Sequence, residues 1–73
     1  MEVTITINTQ SVEIQRGSRP VVEIKDAGHV PHADELEQII DNKLVALPDD
    51  GSVTLKGGEK FVSHPRSGGS SGE

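Results

Sequence analysis

The sequence predicts an α+β domain in which one helix packs across a mixed sheet of four to five strands. Three observations carry this expectation. Apolar and polar residues alternate from the second residue onward, a segment bracketed by Ser18-Arg19-Pro20 and Gly28 has apolar residues at three-residue spacing, and the remainder breaks into short apolar runs divided by turn residues.

Residues Glu2 to Asn8 read E-V-T-I-T-I-N, with Val3, Ile5 and Ile7 set against Thr4, Thr6 and Asn8. A period of two buries one face of a strand. After Thr9 and Gln10 the alternation resumes with Val12 and Ile14, so the first fifteen residues form a β-hairpin with a short connection. Ser18 then suits a helix N-cap, Pro20 a first helical turn and Gly28 a C-terminal stop. Val21, Ile24 and Ala27 or Gly28 would face the sheet, although Val21, Val22 and Ile24 would equally serve a strand. His29 to Asp34, with Pro31 inside it, is a loop.

Leu36, Ile39 and Ile40 lead to Asp41-Asn42-Lys43, and Leu44, Val45 and Leu47 follow, which fits two strands around an Asp-Asn turn. Pro48-Asp49-Asp50-Gly51 is a β-turn rather than a calcium loop, since the further oxygen ligands such a loop needs are missing. Val53 and Leu55 precede a turn at Gly57-Gly58, and Glu59 to His64 carries Phe61 and Val62 into a last strand with Phe61 as core anchor.

Hydrophobic residues are 32% of the chain of 73, and every one lies between Met1 and Val62. Residues 1–64 are therefore the domain, and residues 65–73 a Gly/Ser-rich tail with nothing apolar to bury. A chain this short builds a thin core, so about 1.5 kcal/mol of ordering entropy per residue leaves little net stability. The absence of cysteine excludes disulfides, thiolate zinc sites and a catalytic thiol, and is compatible with a reducing cytoplasm. No apolar run approaches a membrane span.

Lys and Arg number 7 against 12 Asp and Glu, a net charge of −5, and Phe61 is the one aromatic residue. Nucleic-acid binding needs clustered cations and, for single strands, stacking aromatics, and neither is present. An acidic surface suits a basic protein partner, and it also keeps a small domain soluble and monomeric. His29, His32 and His64 would bind a metal only if the fold brought all three together, and solvent-exposed histidines are the default expectation. Ser63 and His64, adjacent on a strand, point to opposite faces and make no nucleophile–base pair, so no catalytic set and no cofactor site is expected.

The run L-P-D-D-G-S-V-T-L-K-G-G-E-K-F-V-S-H-P, Leu47 to Pro65, resembles the C-terminal half of bacterial ubiquitin-like domains of the multiubiquitin type, and the opening hairpin and A-G-H-V-P, Ala27 to Pro31, match the first half in outline. The resemblance implies a β-grasp fold, in which the last strand inserts beside the first. It also implies a protein modifier and its partners: ubiquitin-activating-like and conjugating-like enzymes and a JAB-type metallopeptidase. Gly68 and Gly69 then correspond to the conjugation diglycine, with Ser70 to Glu73 removed by processing. Glycine suits that place because it passes a narrow cleft and adopts whichever backbone angles the enzyme imposes.

Alternatives stand beside this expectation. S-G-G-S-S-G-E is also what an inert terminus, a linker remnant between tandem domains or an added tail would look like. A non-conjugated binding module would use the same body with an inert tail, and Leu44, Val45 and Val62 are then the candidates for its apolar partner surface, unless the core takes them. A sulfur carrier would end at its diglycine, and this chain does not.

Overall fold

The structure is a computed structural model that describes residues 1–66. Among the described residues, seven strands and one helix follow in the order β1 (Glu2–Ile7), β2 (Gln10–Gln15), β3 (Gly17–Pro20), α1 (Val21–Ala27), β4 (Glu35–Ile40), β5 (Lys43–Leu47), β6 (Ser52–Leu55) and β7 (Lys60–His64). Five of the strands form one mixed sheet in the order β2-β1-β7-β4-β5, and β3 pairs with β6 in a separate two-stranded ladder. This is the expected α+β architecture, in a β-grasp arrangement.

The β1–β2 hairpin pairs Ile7 with Gln10 across a two-residue turn, at which Asn8 and Thr9 take φ of 51° and 70°. Asp41 and Asn42, at 52° and 65°, turn β4 into β5 in the same way. Left-handed angles at both central positions match the twist of the flanking strands. β7 runs parallel to β1, with Thr6 opposite Lys60 and Ile7 opposite Phe61, and antiparallel to β4. The last strand thus lies beside the first, as the resemblance implied.

The helix lies across one face of the sheet. Val21 and Ile24 join Ile5, Ile7, Ile14, Leu36 and Phe61 in a core that Val30 and Leu55 complete, and all nine are buried. Phe61 is the anchor expected of it, worth about 2 to 3 kcal/mol when fully buried.

Two expectations at the helix start are corrected. Ser18 is no N-cap: it lies in β3 opposite Thr54. Pro20 precedes the helix instead of entering its first turn, with φ −61° and ψ 147° and no side-chain cap. The physical reason is the β3–β6 ladder, which holds the chain extended up to Pro20 and brings the Gly51 carbonyl within 2.9 Å of the Val21 N–H, so that backbone does the work of a cap. Gly28 does stop the helix, but its φ is −94°, and the left-handed residue is His29 at 58°. Glycine is required at 28 by proximity, since a Cβ there would meet the Ile7 side chain at 2.7 Å.

Candidate functional site

Strand alternation decides what each face of the sheet offers. Leu36 and Phe61 point into the core, so Glu35, Glu37 and Ile39 of β4 and Val62 and His64 of β7 lie on the opposite face, away from the helix. The β4–β5 register adds Leu44, opposite Ile39, and Ala46, opposite Glu37, to that face. Leu44 and Val62 therefore share a surface, with Leu44 59% exposed and Val62 half-buried. Val45 does not belong to it. It lies opposite Gln38 on the other side of the sheet, 41% exposed, where the exposed Ile40 at the end of β4 is its diagonal neighbour.

At the upper end of this face His64 Nε2 lies 3.3 Å from Glu37 Oε1 and 3.7 Å from Glu35 Oε1. The Nδ1–H donates to the Pro65 carbonyl at 3.2 Å. That bond first, and then the Glu37 and Glu35 carboxylates, raise the imidazole above its ordinary pKa of 6.5 against an opposing desolvation. Glu35, Glu37 and His64 keep their ligand atoms within 4.8 Å of one another. The geometry is that of an imidazole set beside two carboxylates. His29 and His32 lie at the far end of the helix, where His32 pairs with Asp26 at 2.6 Å, so the three histidines are not brought together and all are exposed.

The segment leading out of β7 is held by one carboxylate. Arg66 donates to Asp49 through both terminal nitrogens, at 3.0 and 3.1 Å, and Lys25 Nζ reaches the same carboxylate at 3.2 Å. Those hydrogen bonds, Arg66 first, lower the Asp49 pKa from 3.8 to about 2. Pro48 to Gly51 is the β-turn expected, closed by the Gly51 N–H on the Pro48 carbonyl at 3.0 Å. Lys25 is itself 2% exposed and spends its other donors on the His32 and Asp34 carbonyls at 2.9 and 2.6 Å.

Sequence reasoning did not find this Lys25–Asp49–Arg66 group. Its members are far apart in the chain, and the one local signal was an acidic turn with a lone cation just after the last strand. Gly68 and Gly69, the candidate conjugation residues, lie outside the described residues, as do Ser70 to Glu73. Among the described residues no pocket opens into the domain and no helix is long and apolar enough to cross a membrane. No protein-family model, curated protein or solved structure matches the chain.

Proposed function

We propose that this chain is a bacterial ubiquitin-like protein modifier, processed after Gly69 and joined through that residue to its targets by ubiquitin-activating-like and conjugating-like enzymes. The observation that supports this most is the strand order. Because β7 is central, between β1 and β4, the chain leaves the domain from a strand that is paired on both sides. Arg66 is tied to Asp49 three residues before Gly69, so the stretch between them spans at most about 10 Å when extended. A rigid body with a short lead of small residues is what an adenylating enzyme needs, since it must grip the body while only the terminus enters its cleft. In this role the domain supplies no catalytic group. It supplies a surface and a carboxylate.

The test is the intact mass of the protein after incubation with a JAB-type metallopeptidase, and then with a ubiquitin-activating-like enzyme and ATP. Loss of Ser70 to Glu73, followed by an ATP-dependent adduct that Gly69→Ala abolishes, is the expected result. An unchanged mass in both steps refutes the modifier. A non-conjugated binding module is the second reading, favoured by the exposure of Leu44 beside Ile39 and Val62 on the face away from the helix. It predicts unchanged mass and a partner lost in Leu44→Asp.

A further inference from the structure

Three of the five large apolar residues exposed to solvent, Ile40, Leu44 and Val45, belong to the β4–β5 hairpin. β5 is an edge strand, paired with β4 alone among the described residues. Its residues Lys43 to Ala46 are all exposed, and Leu47 is half-buried at the core end.

The hairpin fixes which backbone groups are free. Ile40 and Lys43 flank a two-residue turn and form its hydrogen-bonded pair, so Lys43, Val45 and Leu47 direct their N–H and C=O groups toward β4. Leu44 and Ala46 direct theirs outward. A backbone edge of this kind is satisfied by another extended strand, while Leu44 on one face and Val45 on the other give such a strand apolar cover on both sides.

We infer that β5 is a strand-addition site for an extended segment of a partner protein with apolar residues at its centre and lysine or arginine at its ends. Charge selects that occupant. Asp41 before the strand and Asp50 after it are exposed and make no ion pair among the described residues, in contrast to Asp49, which Lys25 and Arg66 occupy. A second copy of this chain, itself of net charge −5, would bring its own Asp41 and Asp50 to the edge, and residues 67–73 contain nothing apolar to lay along it. Lys43 alone blunts the edge, a thin defence by comparison with edges guarded by several charges or a proline. This inference does not depend on the modifier proposal, since it concerns the body and not the terminus.

The test is titration of the whole ¹⁵N-labelled chain with a synthetic peptide that has a Val-Thr-Val-Thr-Val centre and two lysines at each end. Amide shifts at Lys43 to Leu47, with new exchange protection at the Leu44 and Ala46 N–H groups, are expected. Ala46→Pro removes an N–H that β4 does not use and should weaken binding about tenfold. Leu44→Lys, at an exposed side chain, repeats the test without touching the backbone. A peptide ending in glutamates should bind several-fold more weakly. No binding, shifts centred elsewhere, affinity unchanged in both variants, equal binding of the glutamate peptide, or concentration-dependent self-association through β5 without peptide would each overturn the inference.

Discussion

Lys25 is buried to 2% exposure, and the fold tolerates it because its ammonium donates to three acceptors, the His32 and Asp34 carbonyls of one loop and the Asp49 carboxylate. It ties the helix to the loop before β4 and to the turn before β6. Lys25→Met keeps most of the volume but strands the His32 and Asp34 carbonyls, so a loss of about 2 to 3 kcal/mol in urea unfolding is expected. Two groups of the surface, Asp49 and His64, act in opposite senses. Asp49 titrates near 2 in the folded state against 3.8, so its contribution is complete above about pH 4 and disappears as the pH falls through 2. His64 titrates above 6.5, so its contribution is complete below that pH and is lost as the pH rises through the folded value. A ¹H–¹⁵N titration of the ring should find the raised pKa, and Glu37→Gln should lower it.

At the scale of the element, turn chemistry sets what can be improved. Asn42 holds φ at 65° as the second central residue of the β4–β5 turn, where glycine has no steric cost. Asn42→Gly should therefore stabilise the domain by about 0.5 to 1 kcal/mol, read as a higher urea midpoint with an unchanged slope. The converse holds at Gly28, where Gly28→Ala drives a methyl group into Ile7 and should cost about 1 to 3 kcal/mol. Elements whose pattern is local were legible in the sequence: both hairpins, the helix with Val21 and Ile24 inward, and Phe61 in the last strand. The β3–β6 ladder was not. Gly17-Ser18-Arg19-Pro20 reads as a cap and first turn because serine and proline are frequent there, and only Ser52–Leu55, more than thirty residues on, makes it a strand. For the same reason Leu44, Val45 and Val62 were found as candidates but not sorted between faces, since sorting Val45 from Leu44 needs the pairing register.

For the whole molecule, the decisive contact joins the two ends of the chain. β7 pairs with β1 across more than fifty residues and with β4 on its other side, so the central strand of the sheet is the last to be made. Nothing in a periodicity specifies that neighbour, and it entered as an expectation only through the family resemblance. Its energetic consequence is that the domain cannot lose β7 piecemeal. Phe61 anchors β7 in a core of nine residues, and removing its ring costs about 3 to 5 kcal/mol. A domain of this size holds only about 3 to 10 kcal/mol in all. Phe61→Ala should therefore leave a large unfolded fraction at 25 °C, seen as collapse of amide dispersion throughout the spectrum, including β2 and β5 at the opposite edges. Phe61→Leu, which keeps an apolar filler, should remain folded with a lower midpoint. If Phe61→Ala instead disturbed only β7 and its immediate neighbours, the sheet would be held by its two hairpins separately, and the central strand would not be what makes the domain one cooperative unit.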